Sequence, residues 1–243
     1  MLNERERKAI AAQWAEKLAH DARGLPQRQQ HRNLEPDSAE FICALAAGCR
    51  ARMLLEIGGS SGISTIALAA AARQTAGRLV SIEIEPSRQD AAKRTLGALG
   101  LADRVEFVLA DAGTVLDRYA DLEFVLIDCE KEDYIRFVGA LRLAPGAIVV
   151  ADNILSHGLW DYVRHVRSLP GVESVTLPIG KGLEVTRFLR GAVRYRDDAG
   201  RRRTSACTRR RARNGPPKGS ETHAPAAREA GRQVGGRYTH AVW

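Results

Sequence analysis

The sequence is poor in sulfur and in aromatic rings, and it has no long apolar run. Four cysteines (Cys43, Cys49, Cys129 and Cys207) are scattered through 243 residues without C-x-x-C spacing. That pattern excludes a disulfide scaffold and a cysteine zinc site, and it reads as reduced thiols in a cytoplasmic protein. No uncharged stretch approaches the roughly 18–20 residues of a membrane span, so no membrane partner is expected. The opening MLNERERK alternates charges and leads into no apolar segment, which argues against a secretory signal. What remains, 44% hydrophobic and 27% charged residues, fits one globular domain with an appendage.

The charge is unevenly placed. Thirteen of the 37 lysines and arginines lie after Arg190, against four of the 29 acids, which leaves 24 bases and 25 acids in residues 1–190. The net +8 therefore belongs to the C-terminal segment. A near-neutral body gives no electrostatic case for nucleic acid, and only the basic tail offers one. Past Leu189 there is no Leu, Ile, Phe or Met, while RRR occurs at 201–203 and RRRAR at 209–213. Such a segment cannot offset its ordering entropy by apolar burial. The chain divides accordingly into an N-terminal helix and loop (1–36), a folded domain (37–190) and a basic tail expected to be disordered (191–243).

Residues 4–22 suit an amphipathic helix, and Asp37 is placed to cap a second one that stops at Gly48. Beyond it, short apolar runs alternate with helical stretches. RMLLEIG precedes SGISTIALAAAAR, RLVSIEIE precedes PSRQDAAKRTLGALG, and VEFVLAD precedes AGTVLDRYA. LEFVLID then precedes KEDYIRFVGALRL, and AIVVADN precedes GLWDYVRHVRSL. Five such units predict a parallel sheet covered on both faces. VESVTLP and LEVTRFL are separated only by IGKG, too short for a parallel crossover, so this pair must be an antiparallel hairpin. The expected fold is α/β, with a Rossmann-like, doubly wound, mostly parallel sheet closed by an antiparallel C-terminal hairpin strand.

Three clusters carry chemistry. The first β–α turn, Glu56-Ile57-Gly58-Gly59-Ser60-Ser61-Gly62-Ile63-Ser64, has E-x-G-x-x-x-G spacing instead of the dinucleotide G-x-G-x-x-G. Glycines there let a ligand approach the backbone at a helix N-terminus. A ligand without phosphate, such as S-adenosylmethionine (SAM), suits it better than a dinucleotide, and Glu56 is placed to receive an ammonium directly or through water. The plainer reading is a simple glycine-rich turn. The second strand ends in Glu83, 25 residues beyond Gly58, where an acid can accept both ribose hydroxyls of NAD or of SAM. Glu85 qualifies by type, but Glu85-Pro86 reads as the start of the next helix.

The third cluster is the most specific. Asp128 ends one strand and Asp152-Asn153 ends the next. Adjacent parallel strands bring these residues together at the carboxyl edge, where ligands bind in such sheets. Two carboxylates and an amide oxygen form an all-oxygen set for Mg²⁺ or another divalent cation, and Lys131 lies three residues beyond the first. Taken singly, Asp128 could be a strand-end cap and Asp152-Asn153 an Asx turn. His157 suits a solvent-facing loop better than an acceptor pocket. Trp160 and Tyr162 suit helix packing as well as they suit stacking on an aromatic ring, and Trp14 suits packing of the first helix.

LLEIGGSSGIST, LVSIEIEP, ADA at 110–112, LIDCEKEDY, IVVADNILSH and LPIGKGLEVT together resemble the cation-dependent O-methyltransferases of the catechol and caffeoyl-CoA type. The resemblance covers about residues 33–189. It implies a seven-stranded SAM fold, a divalent metal and a small aromatic substrate with vicinal hydroxyls. It places the metal ligands on Asp128, Asp152 and Asn153 and the catalytic lysine on Lys131. SAM contacts fall on Glu56, Gly58, Gly59, Ser64, Glu83, Ala112 and Asp128. The resemblance also implies a homodimer formed through the N-terminal helices. No segment matches the plant CoA-binding regions. Two other readings are a metal-independent methyltransferase or nucleotide oxidoreductase, and a nucleic-acid-binding protein acting through the tail.

The composition of the tail generates a first prediction. Truncation after Arg190 leaves the melting temperature unchanged and lowers affinity for heparin, and the full-length interaction weakens steeply with salt. A large drop in melting temperature on truncation would show that residues 191–243 pack against the domain.

Overall fold

A computed structural model describes residues 1–23 and 33–189. The expectation of a disordered tail over 191–243 lies outside the described residues. Helix α1 (Glu4–Ala22) opens on a capping box, in which the Asn3 side chain accepts from the Glu6 N–H and the Glu6 carboxylate accepts from the Asn3 N–H. Glu6 is buried and ion-paired with Arg73, so this helix packs on the same core as the rest of the domain. Helix α2 (Pro36–Gly48) starts differently from the expectation. Its N-cap is Glu35, and no side chain caps it. Pro36 begins the helix by its fixed φ, with a missing N–H that the first turn does not need. Asp37 is thus inside the first turn and is not the cap.

The strands are β1 (Met53–Ile57), β2 (Arg78–Glu83), β3 (Val105–Leu109), β4 (Leu122–Ile127), β5 (Leu143–Ala151), β6 (Val172–Leu177) and β7 (Leu183–Phe188). They form one seven-stranded sheet in the order β3-β2-β1-β4-β5-β7-β6, with β1 to β5 parallel and β7 antiparallel to both β5 and β6. Helices α3 (Ile63–Thr75) and α4 (Pro86–Leu99) cover one face together with α1 and α2. There Leu54, Phe124, Leu126 and Val150 of the sheet meet Ile66, Leu68 and the alanine run 69–72. Helices α5 (Tyr134–Ala140) and α6 (Trp160–Ser168) cover the other face, against Leu55, Ile57, Val125, Ile127 and Val149. This is the doubly wound, mostly parallel sheet with an antiparallel hairpin that the alternating pattern predicts.

One crossover departs from expectation. AGTVLDRYA forms two 3₁₀ turns, Ala112–Thr114 and Leu116–Arg118, and no α-helix. Nine residues containing Gly113 and the β-branched Thr114 and Val115 are too few and too stiff to sustain a helical nucleus. Helix α5 is likewise shorter than its pattern, because Lys131–Asp133 before it is a 3₁₀ turn.

Register is what positions the site. Ile82, Ile57, Ile127 and Ala151 are direct cross-strand neighbours on β2, β1, β4 and β5. The next residue on each strand, namely Glu83, Gly58, Asp128 and Asp152, therefore falls in one row along the carboxyl edge.

Candidate active site

Burial and hydrogen bonding fix each member of that row. The Glu83 carboxylate accepts three main-chain N–H bonds, from Ser60 at 2.8 Å, Ile84 at 2.8 Å and Glu85 at 2.9 Å. These three donors hold the carboxylate in one orientation. Gly58 has φ +94°, and a Cβ there would overlap the main-chain oxygen of Asp128. Only glycine permits this approach of β1 to β4. Ser60 is a non-glycine residue at positive φ (46°), a strained conformation held by its bond to Glu83.

A cleft of about 640 Å³ opens over this edge. Of the expected cofactor contacts, it brings together Gly58, Glu83, Ala112 and Asp128. Ser60, Ile84, Arg88, Asp111, Cys129 and Phe137 also line it. Ile84 is 63% exposed despite its apolar side chain, immediately after the strand-end acid. An apolar residue at that position of LVSIEIE is the sequence signal for an apolar wall beside the strand-end acid.

Glu56, Gly59 and Ser64 do not line the cleft. Glu56 points to the α3 side of the sheet, fully buried, with Oε1 accepting from Thr65 Oγ1 at 2.5 Å. Burial raises its pKa, opposed by the Ser81, Thr65 and Ser64 hydroxyls. Its Oε2 is unpartnered. Gly59 lies directly above it, since a Cβ at Gly59 would come within 2.6 Å of Ser81 Oγ and 2.9 Å of Glu56 Oε1. These residues support the turn from beneath.

The structure does assemble the third cluster. Asn153 Nδ2 donates to Asp128 Oδ1 and to Asp152 Oδ2, both at 2.8 Å. Asn153 has φ +64°, a conformation asparagine tolerates better than most residues. Lys131 Nζ lies 3.3 Å from Asp128 Oδ1 and 2.9 Å from the Tyr134 hydroxyl. Asp152 Oδ1 is buried without a partner. Burial, and then the Asp128 charge, push the Asp152 carboxyl up to about 8. Burial also raises Asp128, against the opposing charge of Lys131. Both carboxyls therefore favour the neutral form more than free ones do.

Three residues at this end had no assigned role in the sequence reading: Tyr134, Lys181 and Glu35. Lys181, in the β6–β7 turn, pairs with Glu35 at 2.9 Å. Burial lowers the lysine pKa, but the Glu35 bond and charge, with Asp152 and Asp128 behind them, outweigh it and leave it raised. The Lys181 carbonyl accepts from Leu155 and Ser156, so this turn is stitched to the segment that follows Asn153. His157 is exposed, with Nδ1 2.8 Å from Ser156 Oγ, as the solvent-facing reading had it. Trp160 is half exposed and Tyr162 buried against Tyr134. Trp14 packs at the edge of the core under the Lys17 ammonium.

The donors fit a hard divalent cation by chemistry: two carboxylates, one of them with an unpartnered buried oxygen, and an amide whose oxygen faces them on a simple flip. Among the described residues, no cluster of three or more His, Cys, Asp and Glu side chains is placed to hold a metal ion. No helix among them is long and apolar enough to cross a membrane.

Residues 12–212 match a family model described as "Protein of unknown function (DUF1442)". A catechol O-methyltransferase of Mycobacterium tuberculosis is 38% identical over 154 residues, covering 62% of this chain and 66% of that protein. A second catechol O-methyltransferase, from Niastella koreensis, is 32% identical over 52% of this chain and 60% of its own length. The chain thus spans two thirds or less of these curated relatives. Among solved structures, the O-methyltransferase TomG of Streptomyces achromogenes in complex with SAM superposes with a TM-score of 0.63 at 25% identity, covering 77% of this chain and 91% of that one.

The raised Asp152 carboxyl generates a prediction with a definite sign. The folded chain holds a proton on Asp152 between pH 3.8 and about 8 that the unfolded chain lacks. Its stabilisation is therefore complete below the lower value and is lost as pH rises to the upper one. In EDTA the unfolding free energy should fall between pH 5 and 8, with this carboxyl contributing at most about 1.4 kcal/mol per pH unit. Asp152→Asn should flatten that slope. A slope unchanged in Asp152→Asn would assign the effect to other groups.

Proposed function

We propose that this chain, which belongs to the DUF1442 family and to the O-methyltransferases of the catechol and caffeoyl-CoA type, moves a methyl group from SAM to one hydroxyl of a small vicinal-dihydroxy aromatic acceptor with divalent-metal assistance. The observation that carries the reading is the Asp128–Lys131–Asp152–Asn153 cluster beside the Gly58–Glu83 cleft. It joins an acceptor-activating end to a cofactor-shaped end along one strand row. A metal-independent reaction would leave the unpartnered Asp152 oxygen without a purpose. The free thiols of Cys43, Cys49 and Cys129 agree with a reducing, cytoplasmic setting.

Gly58 and Glu83 hold the nucleoside half of SAM, with Ala112 at 6% exposure closing the far side of the cleft. Glu56 is assigned to the methionine ammonium through water, given its buried unpartnered oxygen beneath the turn. SAM bound there would supply an electrophilic methyl group to the acceptor oxygen. Asp128, Asp152 and Asn153 would hold the divalent cation, which supplies acidification and orientation of the paired hydroxyls. Lys131 Nζ takes the hydroxyl proton. Because opposite charges cancel along the transfer, most of the work left to these side chains is alignment and deprotonation.

Labelled SAM and a panel of catechols, flavonoids and hydroxycinnamates test the reading, with and without EDTA. Turnover of at least one vicinal diol, abolished by EDTA and restored by Mg²⁺ or Mn²⁺, is expected. Full turnover in excess EDTA would reject the metal. Lys131→Met should lower kcat by roughly 10²–10⁴-fold, the range of a positioned acid–base group, with SAM affinity unchanged. Raising the pH should partly restore the lysine variant, because more acceptor is then already phenolate, and should not restore Asp152→Ala in the same way.

A further inference from the structure

We propose that Tyr134 is the positioning residue for Lys131, fixing the direction in which the amine meets the acceptor hydroxyl; this rests on the reading of Lys131 as the base. Tyr134 is the first residue of α5 and is fully buried. Its hydroxyl accepts from Lys131 Nζ at 2.9 Å and donates to the main-chain oxygen of Asp152 at 3.3 Å. The Lys131 ammonium also lies 5.0 Å from the centre of the same ring. The ring is held edge-on by Tyr162, with centroids 5.6 Å apart and planes at 84°.

The argument is one of tetrahedral geometry. A neutral lysine amine carries two N–H bonds, the Cε bond and one lone pair. With a single acceptor, Asp128, the Cε bond and one N–H bond are placed, but the second hydrogen and the lone pair can still exchange positions. A second acceptor at a fixed place removes that choice. Asp128 Oδ1 and the Tyr134 hydroxyl supply the two acceptors, so the lone pair has one direction left. The hydroxyl has one proton, and the Asp152 carbonyl takes it, so the phenol oxygen keeps a lone pair for the amine. With its proton committed to that carbonyl, the Tyr134 hydroxyl meets the amine as an acceptor. The carbonyl belongs to Asp152, so the amine is referenced to both ends of the acid pair.

Tyr134→Phe keeps the ring, its volume and its contact with Tyr162, and it removes only the hydroxyl. It should lower kcat for a dihydroxybenzoate with SAM and Mg²⁺ by roughly 5–50-fold, the scale of one hydrogen bond to a charged or reacting group. The SAM dissociation constant, measured by calorimetry, should stay within twofold and serves as the check on folding. In the Lys131→Met background the same substitution should have no further effect on kcat, since a residue acting only through Lys131 has nothing left to act on. A readout without turnover comes from reductive methylation of the metal-free protein, read by peptide mass spectrometry. Lys131 should label about fivefold faster in Tyr134→Phe, as the loss of one hydrogen bond implies. Additive losses in the double variant, or unchanged labelling, overturn the positioning role and leave Lys131 as the base. Wild-type kcat in Lys131→Met alone overturns both.

Discussion

The site depends on a single constraint, the level register of four parallel strands. Main-chain bonds from Gly58 to Ile82, from Asp128 to Ile57 and from Asp152 to Ile127 continue the ladder one residue past the strand ends. They set Glu83, Gly58, Asp128 and Asp152 abreast. A slip of one residue in any of these pairings would turn the side chain to the opposite face of the sheet. The strands are held against slipping by apolar side chains on both faces, since Leu55 and Ile57 of β1 point to one core and Leu54 to the other. Core packing and catalytic alignment are thus one requirement.

Much of this was readable in the residues. The alternation of apolar runs with helical stretches gave the parallel sheet, and the short IGKG connection gave the antiparallel hairpin, because period and loop length are local properties. The acid pair was legible for the same reason, as strand ends of a parallel sheet must lie together. What the sequence did not disclose depends on three-dimensional direction. Glu56, Asp128 and Glu83 are all acids at strand ends by type. Glu56 lies two residues before Gly58, inside the strand and short of the edge, so its side chain is buried against Thr65 of α3 and does not reach the cleft. Tyr134 carries no role in the linear pattern beyond its place in LIDCEKEDY. Its hydroxyl partners come from a 3₁₀ turn and from the end of another strand, and nothing in a linear pattern reports such a meeting.

The acceptor end is electrostatically dense. Two acids, an amide, Lys131 and the Lys181–Glu35 pair are gathered in one region with little water to screen them. Separate burial of like charges is costly, and the chain answers with internal partners. Lys131 lies against Asp128, the Asn153 amide bridges both acids, and Lys181 stands beyond them. These contacts give each acid an internal counter-charge or donor before any ligand arrives.

The stitching of the β6–β7 turn to residues 154–156 means that the two ends of the site are built from different stretches of the chain. Everything that surrounds the cofactor cleft is contributed by residues up to Phe137. The wall on the other side is borrowed from the last hairpin, through the Gly182 and Lys181 carbonyls. Changes of residue type within 178–182 can thus reshape the side of the acid cluster that faces the last hairpin while the glycine turn and its strand row stay as they are.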